Sequence, residues 1–210
     1  MTDTTNATGP MTVVICTKGR DACVADAVAS VLADPDEDVT LILIDQNQDE
    51  RVVDVLTPFA NDPRLNHVRV ELGGAGRARN TALALATTPV VCFTDDDCIV
   101  RPGWTKAMTQ LMLDRPQVAL VFGSVAAVAT ENDHLGYTPD FVIEREVELS
   151  AWGRDARVDH LGIGACMALR REEVLAIGGF DPMMGPGSMF PSADDREVAI
   201  RLLLAGHTRC

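Results

Sequence analysis

Positive charge is scarce in this sequence. Against 31 Asp and Glu stand only 18 Lys and Arg, giving a formal net charge of −13 over 210 residues. A nucleic-acid binder needs a basic footprint to neutralise phosphates, and general affinity for anionic membrane surfaces needs the same, so the composition argues against both. Long apolar runs are missing too. Stretches such as Val13–Cys16 and Val39–Ile44 fall far below the ~18 residues of a spanning helix. Residues 1–10 have neither a basic start nor an apolar middle, which excludes a signal peptide and predicts a disordered leader. No CxxC pair occurs among Cys16, Cys23, Cys92, Cys98, Cys166 and Cys210, which argues against a zinc knuckle and a disulfide framework. Six cysteines in a chain this long predict reduced, mostly buried thiols and a cytoplasmic location, with peripheral attachment at the inner face of a membrane left open. There is no internal repeat and no low-complexity tract.

What is present is the composition of an ordinary globular protein, 47% hydrophobic and 23% charged, and periodicity that alternates strand and helix. Short β-branched or apolar runs predict strands at 11–16, 39–44, 66–72, 88–94 and 118–122, with a sixth at 124–129. Helical spacing predicts helices at 21–32, 49–60, 77–86, 102–113, 171–177 and 194–204, with Pro102 near the first position of its helix. The expected fold class is α/β: a mostly parallel central sheet with helices on both faces. Residues 11–210 are read as one domain in two halves, 11–123 and 124–210. The segment 130–159 is irregular and reads as a functional loop with a helical stretch over 144–149; it carries His134 and Trp152, and His160 follows it.

In open parallel sheets ligands gather at the carboxyl ends of the strands. Just past the first strand stand Thr17, Lys18 and Arg20; past the second, Asp45, Gln46 and Asn47. Past the third come the loop Gly73–Gly76, Arg77, Arg79 and Asn80, and past the fourth Asp95, Asp96 and Asp97. Three adjacent carboxylates repel one another unless they are exposed, protonated or neutralised. Strand alternation puts Asp95 and Asp97 on one side and Asp96 on the other, a pair suited to a hard divalent cation. A helix start with a guanidinium after the glycine loop suits a phosphate, although neither a P-loop nor a dinucleotide fingerprint is present. A second acidic cluster, Asp194-Asp195, opens the last helix, where it either opposes the helix dipole or supplies a general base.

These stretches, in this order, resemble the family-2 glycosyltransferases, which have the A-type nucleotide-diphospho-sugar transferase fold. The matching pieces are the opening strand through Thr17 and Arg20, Leu41–Asp45, Gly76–Asn80, Phe93–Cys98 with Pro102–Trp104, Gly164–Arg170 with Gly178–Asp181, and Asp194-Asp195 with Arg201–Gly206. The resemblance implies that Thr17 and Asp45 hold the nucleotide base and that Arg79, Asp95 and Asp96 contact the donor. It further implies that Asp95 and Asp97 bind Mg²⁺ or Mn²⁺ and that Asp195 takes the acceptor's proton. The reaction implied is inverting, from a UDP-sugar or similar donor to a glycan, lipid-linked or small-molecule hydroxyl. The sequence departs from the family where Gln46-Asn47 follow Asp45 and where Asp194 replaces a Glu. Members usually continue beyond the last helix, so a C-terminally truncated, catalytically silent nucleotide- or partner-binding member is the alternative. Nucleotidyl transfer ranks third, since Thr17–Arg20 is too short a first loop for it.

Overall fold

The computed structural model describes residues 11–34, 38–71, 73–127, 141–144, 146–150 and 161–209. The leader, His134, Trp152 and His160 lie outside these residues. The strands are β1 (Met11–Thr17), β2 (Val39–Asp45), β3 (Leu65–Arg69), β4 (Val90–Asp95), β5 (Val118–Phe122), β6 (Cys166–Arg170) and β7 (Thr208–Arg209). The helices are α1 (Ala22–Leu32), α2 (Arg51–Val55), α3 (Ala75–Leu85), α4 (Trp104–Asp114), α5 (Arg171–Ala176) and α6 (Asp194–Leu204).

The seven strands form one sheet in the order β3-β2-β1-β4-β6-β5-β7. Strands β3, β2, β1 and β4 are mutually parallel, and β6 is antiparallel to both of its neighbours. The sheet is thus mostly parallel, as expected. The apolar runs are continuous because both faces are covered. Along β1, Val13 and Ile15 pack with Val24 and Val28 of α1 and Met108 and Met112 of α4. Val14, between them, packs on the other side with Ala78 and Ala82 of α3 and Val198 and Leu202 of α6. Two cores therefore share each central strand. No helix among the described residues is long and apolar enough to cross a membrane.

Four expectations change. The helix over 49–60 is α2 followed by a 3-10 turn, Thr57–Phe59, with Pro58 in its first positions, because proline cannot donate to a continuing helix. Helix α4 begins after Gly103, whose left-handed φ of 80° caps it, so Pro102 stands before the cap. Residues 124–127 form only a single bridge, Val125 to Phe141, rather than a sixth strand. The described residues within 144–149 are not helical.

Register fixes the working edge. Thr17 lies opposite Asp45, and Cys16 lies opposite Asp95. The ends of three parallel strands are thereby aligned within one residue of each other, and β6 enters from the opposite direction just after Gly164.

Candidate active site

The carboxyl edge of β1 and β4 opens into a cavity of about 690 Å³. It is lined by Lys18, Arg20 and Gln46 from just past β1 and β2, by Asp95, Asp96 and Asp97 from the end of β4, and by Gly164, Asp194 and Asp195. Arg79 and Arg196 complete its charged lining. Carboxylates and cations nearly balance around it, while the acidic groups are concentrated at the end of β4.

The acidic triplet leaves the strand through a turn in which Cys98 N donates to Asp95 O at 3.2 Å. Asp96 turns inward. Its Oδ2 accepts from Thr17 Oγ1 at 2.6 Å and its Oδ1 from Arg20 at 2.7 Å. The same Arg20 guanidinium pairs with Asp97. Asp95, half-exposed towards the cavity, lies 3.9 Å from Arg79. Arg20 therefore joins Asp97 to Asp96, while Asp95 turns to Arg79, so the expected pairing of Asp95 with Asp97 against Asp96 is not the arrangement seen, because a turn rather than strand alternation sets the three directions.

Arg79 is the central cation. It is 9% exposed and projects from α3 against the edge-to-face pair of Phe93 and Phe180, 5.8 and 5.5 Å from their centroids. It pairs with Asp194, itself almost fully buried. The packing around this pair is tight enough to need glycine twice. A Cβ on Gly164 would stand 2.5 Å from Arg79 Nη2, and one on Gly185, at φ +91°, 2.6 Å from the Asp194 carboxylate. Burial opposes the Arg79 charge, but Asp194, then Asp95, outweigh it and raise its pKa. The guanidinium is therefore a permanent cation, held in place by charge and by two aromatic faces.

Asp195 is placed differently from its neighbour. Ala193 caps α6 in the left-handed conformation, φ 65°, directly before the two acids. Left-handed backbone is uncommon for a residue with a Cβ, and it clusters where geometry is functionally constrained. Asp195 Oδ2 accepts from Gly164 N at 2.7 Å and its Oδ1 from Arg196 N at 2.7 Å. Each oxygen keeps a lone pair for a group in the cavity.

Thr17 and Asp45 do not reach the cavity. The Thr17 hydroxyl is spent on Asp96, and Asp45 is fully buried. Asp45 Oδ1 accepts from Asn47 N at 2.9 Å and Asn47 Nδ2 at 2.8 Å, and Oδ2 lies 3.0 Å from His67 Nε2. Buried polar groups must be paired, and this carboxylate is paired within the protein. The glycine loop also differs from expectation. Gly74, at φ 105°, caps α3 two residues earlier than predicted, and Ala75 N donates to Pro186 O at 2.9 Å. That amide is spent on the protein rather than held open for phosphate. The sequence placed Gln46 at the end of the second strand without giving it a role, and it did not show the Arg20 bridge or the pairing of Asp194 with Arg79. The last had a signal, since one member of an adjacent acid pair at a buried helix start requires a cation.

Burial and then neighbouring charges set the titration of the cavity. Desolvation raises the Asp95 carboxyl pKa, Arg79 lowers it, and Asp97, Asp96 and Asp194 raise it again. Asp96 is also raised, by desolvation first, despite Thr17 and Arg20. Cys16, in the cavity wall, is pushed up to about 12, mainly by burial. A neutral thiol is a poor nucleophile, which removes Cys16 as a covalent catalyst. The carboxyl shifts carry a sign. Between the ordinary Asp value and the raised ones, the native state holds more protons than the unfolded chain, so this contribution to stability falls as pH rises. Asp95→Asn mimics the protonated form. The variant should melt above wild type at neutral pH, with the gap closing as pH approaches about 4. Paired melting curves over that range check it.

Residues 12–176 match Glycosyl transferase family 2. Pre-mycofactocin glycosyltransferase of Mycobacterium tuberculosis is 32% identical over 139 residues, covering 63% of this chain and 27% of that protein. The chain thus spans 27% of the length of this curated relative. Among solved structures, the mannosyltransferase PcManGT from Pyrobaculum calidifontis in complex with GDP-Man and Mn²⁺ superposes with a TM-score of 0.69 at 20% identity, over 96% of this chain and 54% of that one. TarS of S. aureus, residues 1–349 with UDP-GlcNAc, gives a TM-score of 0.72 at 15% identity, over 93% of this chain and 53% of that one.

Proposed function

Because the chain belongs to Glycosyl transferase family 2, we propose that it moves a sugar from a nucleotide-diphospho-sugar to an acceptor hydroxyl with inversion, using a divalent cation. The observation that supports this most is the convergence of Asp95, Asp97 and Asp195 on one cavity at the carboxyl edge of the sheet. Solved proteins of the same fold bind GDP-Man with Mn²⁺ and UDP-GlcNAc.

The donor set fits a shared cation rather than a caged one. No group of three His, Cys, Asp or Glu able to hold an ion is found among the described residues. Asp95 and Asp97 offer two carboxylates, the first 3.9 Å from Arg79 and the second paired with the half-exposed Arg20. Mg²⁺ typically takes one or two carboxylates and completes its shell with substrate phosphates and water. When bound there, Mg²⁺ or Mn²⁺ supplies Lewis-acid neutralisation of the departing diphosphate.

The chain's own residues do the rest. Lys18 and Arg20, at the end of β1, bring positive charge to the diphosphate. Arg79 anchors the acidic floor, and by occupying Asp194 it leaves Asp195 as the carboxylate open to the acceptor. The Gly164 and Arg196 amides hold Asp195 in one orientation. The acceptor oxygen attacks the anomeric carbon while its proton passes to Asp195. The bond from that carbon to the diphosphate breaks, and the electron pair leaves with the nucleoside diphosphate. A single in-line displacement inverts the carbon.

Incubation with UDP- and GDP-sugars and Mn²⁺ tests the proposal, with water as a minimal acceptor. Nucleoside diphosphate should appear only with the metal, and NMR should show the first-formed sugar with the opposite anomeric configuration. Release of pyrophosphate, or retained configuration, would contradict it.

A further inference from the structure

Arg196 is the one half-buried arginine whose guanidinium nothing engages among the described residues. Arg64, Arg79, Arg115, Arg170, Arg171 and Arg201 are buried or half-buried as well, and each donates to a carboxylate or to backbone carbonyls. The Arg196 guanidinium has no such partner among the described residues, in a chain with 31 Asp and Glu against 18 Lys and Arg. It stands in the lining of the cavity, on the residue that follows Asp195. The fold draws no benefit from a cation there. Arg196 lies in the first turn of α6, where the helix dipole favours acids and opposes positive charge. A guanidinium presents a planar fork of donors that matches a carboxylate or a phosphate through two bonds.

We infer that Arg196 is a specificity-determining residue for the acceptor, and that the acceptor carries an anionic group, a carboxylate or a phosphate, near the hydroxyl that receives the sugar. This rests on the nucleotide-sugar reading above and deepens it by naming the class of acceptor. The acceptor hydroxyl must come within hydrogen-bond distance of Asp195 to give up its proton. The Arg196 amide donates to Asp195 Oδ1 at 2.7 Å, so the two residues address one place. An anion a few bonds from the hydroxyl then falls within the span of the Arg196 side chain. The donor's diphosphate has positive partners of its own in Lys18, Arg20 and the divalent cation. An anionic acceptor, by contrast, meets the carboxylates of Asp95, Asp97 and Asp195 in the same cavity. Arg196 offsets that repulsion and favours acceptors that bear the anion over those that lack it.

Calorimetry on wild type, Arg196→Gln and Arg196→Lys tests this in two stages. The first titrates UDP and GDP with Mn²⁺. All three proteins should bind whichever nucleotide wild type accepts, with affinities within about twofold of one another. The second saturates each protein with that nucleotide and Mn²⁺, which fills the diphosphate site, and titrates glucose 6-phosphate, glucuronate and glucose. Wild type should bind at least one of the two anionic sugars about tenfold or more tightly than glucose. Which of the two binds more tightly tells a phosphate from a carboxylate. Arg196→Gln should lose the margin, and Arg196→Lys, which keeps the charge without the fork, should retain part of it. Both variants should melt close to wild type, since no polar contact among the described residues is lost. No margin in wild type, a margin kept by Arg196→Gln, or a fall in nucleotide affinity in Arg196→Gln would overturn the assignment, the last by moving the guanidinium to the donor's diphosphate. Failure of wild type to bind either nucleotide would overturn the nucleotide-sugar reading itself.

Discussion

Asp195→Asn should keep donor affinity within a factor of two or so and lose sugar transfer by about 10²- to 10⁴-fold, the range for removal of a positioned general base. An amide has nearly the size and shape of the carboxylate but no basic lone pair. The Gly164 and Arg196 amides donate to the two Asp195 oxygens. An Asn side chain can satisfy one of them and must turn its NH₂ towards the other. That costs about 1–3 kcal/mol, below the roughly 5–15 kcal/mol that holds a domain folded. Folding and donor binding should therefore survive, which separates a chemical role from a structural one. The checks are turnover under saturating donor and a calorimetric titration of the same preparation. Normal turnover would remove Asp195 from the chemistry.

The second large effect is on stability. Arg79→Met removes the partner of a buried carboxylate, Asp194, and breaking such a pair from one side costs about 3–5 kcal/mol. The loss also takes away the cation that packs on Phe93 and Phe180. Denaturant unfolding should show the midpoint shift. Adding Asp194→Leu should recover much of it, because replacing both members by apolar groups removes the stranded charge. A single variant as stable as wild type would mean that the Arg79–Asp194 pair does not organise the site. The glycines make the same point. Gly164 and Gly185 leave room for the pair and for nothing larger.

Most of the sheet could be read in advance because parallel strands buried on both faces leave continuous apolar runs, as Val39–Asp45 shows. Helix α6 has the predicted bounds because its apolar residues follow helical spacing and its acids mark the start. Strand β7 left no such trace. It has two residues, Thr208 and Arg209, paired with β5 at a shifted register, and no hydrophobic pattern betrays so short an edge. The site was legible as a set of strand ends, since topology alone gathers Asp95, Asp97 and the β1 loop. Which atoms face the cavity was not. Asp45 and Gln46 are adjacent and both polar, and only the three hydrogen bonds that retain Asp45 show that it is Gln46, not Asp45, that lines the cavity. Likewise, the Arg20 bridge joins residues 76 and 77 positions apart, beyond the reach of any local pattern.

These assignments all presuppose that the carboxylates at the end of β4 hold the donor through a cation. Calorimetric titration of UDP and GDP into wild type and Asp97→Ala, each with Mn²⁺ and with a chelator, tests this most directly. The account predicts Mn²⁺-dependent binding by wild type and at least about a tenfold loss of affinity in Asp97→Ala with Mn²⁺ present. Equal affinity with and without the metal, or in the two proteins, would contradict it.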